Sequence, residues 1–82
     1  MANITKRQTI SLLRKLQKFQ IEDWGKHRIE LRLYRNDNGC LWFCGTAFKT
    51  DDTLVNVSCY EWRSYEQNKE EIEKFISTIN ND

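Results

Sequence analysis

The 82 residues read as an α+β chain: a three-stranded antiparallel β-meander with an N-terminal and a C-terminal helix, in the order αβββα. Three observations give this reading. Apolar residues recur at helical spacing near both ends, they alternate with a period of two in the middle, and turn-forming residues separate the periodic segments. A chain of this length is expected to form one domain spanning residues 1–82. Ten aromatic residues supply enough apolar material for a core, but a domain this small buries only about 60% of the surface its unfolded chain exposes, which leaves little room for a deep dry pocket.

The first helix is predicted over residues 5–19. Ile10, Leu12, Leu13, Leu16 and Phe19 recur three and four apart, while Lys6, Arg7, Arg14, Lys15 and Lys18 fall largely between them, so the outer face is basic. Thr5 suits the N-cap with Gln8 as its capping-box partner, and Gly25 marks a turn. Residues 27–35 then alternate, Ile29, Leu31 and Leu33 on one side and Arg28, Glu30, Arg32 and Tyr34 on the other, the pattern of a half-buried strand. Asn36-Asp37-Asn38-Gly39 follows, built from residues that tolerate the positive φ of a tight hairpin.

The second strand, residues 40–49, is apolar on both parities, so pattern alone does not fix its facing. A hairpin loop of even length sets Leu31 and Leu33 beside the Trp42 set; a three-residue loop with a bulge sets them beside the Phe43 set. Thr50-Asp51-Asp52-Thr53 reads as a turn. Residues 54–63 form the third strand, with Val55, Val57 and Cys59 toward the core and Asn56, Ser58, Tyr60 and Trp62 opposite. The last helix spans residues 66–79, with Ile72, Phe75, Ile76 and Ile79 on one face and acids on the other; Asn68 with Glu71 suggests a capping box and a late start.

The formal charge of +1 conceals an asymmetry, since residues 1–36 carry nine basic and three acidic side chains and residues 37–82 carry four and nine. Two solvated faces that attract one another explain it simply; a nucleic-acid face is the sharper alternative. The sequence shows no signal peptide and no apolar run of membrane-spanning length, and its three cysteines do not suggest an even disulfide framework, so a cytoplasmic location without membrane contact is expected.

If both helices cover one sheet face, the other is left to solvent with Arg28, Arg32, Tyr34, Tyr60, Trp62 and whichever parity of the second strand turns outward. Apolar area rimmed by arginine marks interaction surfaces. One helix on each face, or a homodimer, would hide it instead.

Candidate chemistry is thin. Cys40, Cys44 and Cys59 with His27 match the numbers of a zinc site, yet Cys40 and Cys44 stand about 13 Å apart along a regular strand, too far for one tetrahedral metal, so no metal or cofactor is expected and the cysteines read as small apolar filler. Cys59 has a possible place opposite Cys44 across two strands. A Cys–His nucleophile pair is weak with His27 between basic neighbours, the glycines form no phosphate loop, and Glu66, Glu70 and Glu73 form a solvated helical stripe. No enzymatic activity is expected.

Two binding classes remain. For nucleic acid, Lys6, Arg7, Arg14, Lys15 and Lys18 with Arg28, Arg32 and Arg35 would neutralise phosphates while Tyr34, Tyr60 and Trp62 stack bases. The element order resembles the double-stranded RNA-binding domain, but where that family holds phosphates with a Gly and Lys cluster this chain reads Asn68-Lys69-Glu70-Glu71, which would repel them. Protein binding ranks first. The element order, the Arg35-Asn36-Asp37-Asn38-Gly39 hairpin and the run Glu73-Lys74-Phe75-Ile76-Ser77 are together similar to small phage-encoded anti-CRISPR inhibitors of Cas nucleases. The resemblance implies a compact, cofactor-free protein that occupies a larger partner's surface, with Asp37, Asp51, Asp52, Glu61 and the last helix as its acidic contact surface. That family is acidic, and this chain at +1 departs from it.

Overall fold

Two capping boxes set where the helices begin. In the computed structural model, which describes residues 4–35 and 39–82, the Thr5 side chain accepts the backbone N–H of Gln8 while the Gln8 amide oxygen accepts the N–H of Thr5, and Ser64 and Gln67 repeat the arrangement. Helix α1 (Lys6–Glu22) therefore starts as its sequence predicts and runs one turn further. Helix α2 (Tyr65–Asn80) starts at the Ser64 cap rather than late at Asn68, whose side chain has a different use. Between them lie β1 (Ile29–Arg35), β2 (Leu41–Phe48) and β3 (Leu54–Tyr60), in the spatial order β1-β2-β3 with both pairings antiparallel. The expected α+β αβββα architecture is what is observed, with each strand a residue or more shorter than its apolar pattern.

The register that the second strand left open is settled by pairing. Leu31 lies opposite Gly45, Leu33 opposite Phe43, and Phe43 in turn opposite Cys59, so the Phe43 set faces inward and the Trp42 set outward. The Asn36-Asp37-Asn38 part of the hairpin lies outside the described residues; Gly39 takes a φ of 80°. Both helices cover the same sheet face. The core contains Ile29, Phe43, Ala47, Val57 and Cys59 from the sheet, Leu12, Leu16 and Phe19 from α1, and Ile72, Phe75 and Ile79 from α2. Phe19 and Phe75 meet edge to face at 6.3 Å, an aromatic contact that joins the helices.

Gly45 explains how the helix layer sits so close. A Cβ there would stand 3.1 Å from Leu31 Cδ2, 3.3 Å from Val57 Cγ1 and 3.7 Å from Phe75 Cζ. The missing side chain lets the α2 phenylalanine approach the middle strand.

Candidate functional site

With both helices on one side, the other sheet face carries the even-numbered residues of all three strands. At the hairpin end these include Tyr34, Trp42 and Tyr60, which the register sets side by side. Their rings stack: Tyr34 on Trp42 at 4.2 Å and 17°, Trp42 on Tyr60 at 6.0 Å and 27°, and Tyr60 on Trp62, from the turn after β3, at 5.0 Å and 19°. The strand spacing of about 4.8 Å is close to the Tyr34–Trp42 and Trp42–Tyr60 separations, so neighbouring strands hold these three rings face to face. Arg63 closes the row, its Cζ 4.7 Å from the Tyr60 centroid and 5.4 Å from that of Trp62, while its Nη1 donates to the Ser58 carbonyl at 3.3 Å. At the other end Arg32 Nη1 reaches the Tyr34 hydroxyl at 3.5 Å.

Asn68 holds this row from behind. It is fully buried, its Oδ1 accepts the Tyr60 N–H at 3.2 Å, and its Nδ2 donates to the Tyr60 carbonyl at 3.0 Å. The side-chain amide thus replaces a fourth strand along the outer edge of β3, which fixes the backbone that carries Tyr60.

Of the expected contact residues, Arg32, Tyr34, Tyr60 and Trp62 come together in or beside the row. Arg28 lies on the same face toward the other end of β1, its Nη2 bound to Glu30 Oε1 at 2.9 Å. The acidic set does not assemble. Glu61 stands beside the row but uses its carboxylate to accept the Leu41 N–H at 3.1 Å. Asp51 and Asp52 occupy the β2–β3 turn at the opposite end, where Asp51 accepts the Thr53 N–H at 2.9 Å and is held below the usual carboxylate range by its Thr53 hydrogen bonds. Asp37 lies outside the described residues. The basic residues of α1, Lys6, Arg7, Arg14, Lys15 and Lys18, belong to the helix layer, across the sheet from the aromatic row, and Lys15 pairs with Glu73 at 3.7 Å. Sequence reasoning missed Trp42 because it depended on the register. It missed Arg63 because its position depends on the turn that ends β3.

The cysteines divide between the faces. Cys59 is buried in the core, where desolvation pushes its thiol up to about 12 and leaves it unreactive. Cys44 turns to the open face opposite Ser58, so Cys59 does not take the place opposite Cys44 that the sequence left open to it, and Cys40 and Cys44 are half-buried rather than core filler. No cluster of three metal-ligating side chains occurs among the described residues.

One ionisable cluster stands apart. His27 Nδ1 lies 3.0 Å from Asp23 Oδ2, and Nε2 lies 2.8 Å from Asp82 Oδ2, with all three side chains at most 10% exposed. Asp82 also accepts the Thr50 N–H at 2.8 Å and the Thr50 hydroxyl at 3.3 Å. The Asp82 hydrogen bond is the main force raising the His27 pKa above its ordinary 6.5, against partial burial and with Asp23 adding to it. Asp82 is lowered, chiefly by the Thr50 N–H and then by His27. Only the imidazolium can donate to both carboxylates at once, so the cluster is a charged clamp joining the end of α1, the β2–β3 turn and the second residue after α2.

No helix among the described residues is long and apolar enough to cross a membrane. Comparison with protein-family models, with curated proteins and with solved structures returns no match.

Proposed function

We propose that the protein is a small non-enzymatic binding module that occupies the surface of a larger protein partner through its aromatic row. The observation that carries this reading is the stacking of Tyr34, Trp42, Tyr60 and Trp62 on one another. Most of the ring-face area is already turned toward a neighbouring ring. The row is flanked by guanidinium groups, Arg32 at the Tyr34 hydroxyl and Arg63 at the Tyr60 and Trp62 rings. Tyrosine, tryptophan and arginine of this kind dominate the energetics of protein interfaces, and a rigid row loses little entropy when it docks.

The same geometry weakens the nucleic-acid alternative. Stacking a base would require opening the row, and the phosphate-binding candidates of α1 lie on the other side of the sheet, so one strand does not reach both sets together. The start of α2 also lacks a basic cluster, since the run from its cap reads Ser64-Tyr65-Glu66-Gln67. A partner surface that accepts a rigid aromatic row is consistent with the class of role that the anti-CRISPR likeness implies, an inhibitor from a phage or mobile element acting on a host defence or regulatory protein.

The test is affinity capture from nuclease-treated lysate with the wild-type protein and with a Tyr60→Ala, Trp62→Ala double variant, beside fluorescence anisotropy of labelled single-stranded RNA and DNA at low salt. The reading expects a nuclease-resistant protein band that the double variant loses, and unchanged anisotropy. Salt-sensitive oligonucleotide binding, or an identical set of captured proteins from both baits, overturns it.

A further inference from the structure

The two edges of the sheet are not equally closed. The odd-numbered residues of β1 point their N–H and C=O groups away from β2, because Phe48 N–H bonds the Arg28 carbonyl and hydrogen-bonded pairs alternate along an antiparallel ladder. The Ile29 carbonyl is met by the Gln20 side-chain amide at 2.8 Å, but among the described residues nothing bonds the outward groups of Leu31 or Leu33. On β3, by contrast, Asn68 and Arg63 cover the outer edge at Tyr60 and Ser58. An uncovered edge is a template for another strand.

Apolar side chains collect on the same flank. Leu33 lies on the helix-bearing face of β1, yet it is 57% exposed, beyond the reach of the helices. Trp24, 78% exposed, lines with Gln20, Arg28 and Ile29 an open recess of about 270 Å³ beside the start of β1. Gln20 marks the flank of α1 that overhangs this edge.

The strand that forms this edge is chemically palindromic. Reading outward from Leu31, the flanking pairs are Glu30 with Arg32, Ile29 with Leu33, and Arg28 with Tyr34. Laid antiparallel on itself with Leu31 at the centre, the strand sets each anion against a cation, each aliphatic side chain against an aliphatic one, and each outer arginine against a tyrosine ring. Directly opposed residues on one face are the pairs that stabilise a sheet. The partner's Leu33 falls beside Ile29 and the recess, and the partner's Leu33 N–H takes the place of the Gln20 amide on the Ile29 carbonyl.

We infer that the occupant of the β1 edge is a second copy of this chain, the two sheets joining through β1 about a twofold axis at Leu31 into one six-stranded sheet. The interface is isologous, so every contact is made twice, and it leaves Trp42, Tyr60 and Trp62 of each copy free on the open face while Tyr34 borders the seam. It stands independently of the protein-partner reading.

The experiment is a charge-reversal cycle read by sedimentation equilibrium on the full chain. The wild type is expected to sediment as a dimer at micromolar concentration. Glu30→Arg and Arg32→Glu, each at an exposed or half-exposed position, oppose like charges twice across the axis, so each variant alone is expected to sediment as a monomer. Mixed in equal amounts they restore both opposite-charge pairs and re-form the dimer. Circular dichroism of each variant establishes that it is folded, and recovery on mixing excludes misfolding as the cause of the loss. A monomeric wild type overturns the inference, as does a dimer that either reversal leaves intact or that mixing does not restore.

Discussion

Asn68 shows how much one side chain decides. Its type and place, a polar residue near the start of an acidic helix, suit a cap, although Ser64 with Gln67 forms a competing capping-box pattern in the local sequence. Ser64 takes the cap instead, because a full capping box with Gln67 satisfies two backbone donors four residues earlier. That earlier start turns Asn68 inward, where both ends of its amide bond Tyr60. Replacing it with alanine leaves the Tyr60 N–H without its partner, while the Tyr60 carbonyl keeps only the Arg63 N–H. Asn68→Ala is expected to cost about 1–3 kcal/mol in urea denaturation, the cost of one backbone donor left unsatisfied, whereas Glu66→Ala on the exposed side of the same helix is expected to stay within about 0.5 kcal/mol. At this scale the outward placement of Tyr34 and Tyr60 was legible from alternation, because outward parity follows from the neighbours that must be buried, whereas Trp62 lies in the turn beyond β3. That of Trp42 was not legible, since both parities of its strand are apolar.

At the scale of elements, periodicity identified all five and erred chiefly at their ends. Helix α1 gained its last turn from Gln20, Ile21 and Glu22, of which Gln20 bonds across to β1, a tertiary contact that no local pattern contains. Strand β3 stops at Tyr60 rather than Arg63 because the chain turns there, with Arg63 N–H donating to the Tyr60 carbonyl at 3.1 Å. The packing of the sheet against α2 depends on the gap at Gly45, which sequence marked only as an isolated glycine. Gly45→Val would drive two methyl groups into Leu31, Val57 and Phe75; overpacking of this kind is expected to destabilise the fold by about 1–3 kcal/mol, measured by thermal unfolding. An unchanged or raised melting temperature would mean that α2 can lift from the sheet without loss.

At the scale of the whole molecule, the uneven charge along the sequence becomes a spatial arrangement in which basic α1 and acidic α2 lie side by side on one sheet face, with Lys15 and Glu73 as a direct contact. The pair is exposed and contributes little by itself. The His27 clamp does more to tie distant segments together, and its titration gives the fold a pH window. His27 is raised in the folded state, so its contribution is fully present below its ordinary value of 6.5 and is lost as pH rises through the higher folded value. Asp82 is lowered, so its contribution is present above its ordinary value of 3.8 and is lost as pH falls through the lower folded value. The melting temperature is therefore expected to peak between those two values and to decline on the alkaline side. His27→Gln is expected to lower the peak and flatten that alkaline decline; a variant that keeps the wild-type pH profile would show that the clamp carries no titrating load. None of this was legible in the sequence, where His27 stands between basic neighbours and both of its carboxylates come from other parts of the chain or a full turn away.

The three tryptophans divide between the two surfaces in a way that makes the molecule its own spectroscopic probe. Trp42 and Trp62 belong to the stacked row, where closely packed chromophores couple and give circular dichroism bands sensitive to their mutual angle. Trp24 stands largely in solvent at the β1 flank, where burial would shift its fluorescence to shorter wavelength. Engagement of the open face and engagement of the sheet edge can thus be followed separately in unlabelled protein, one by ellipticity and the other by emission.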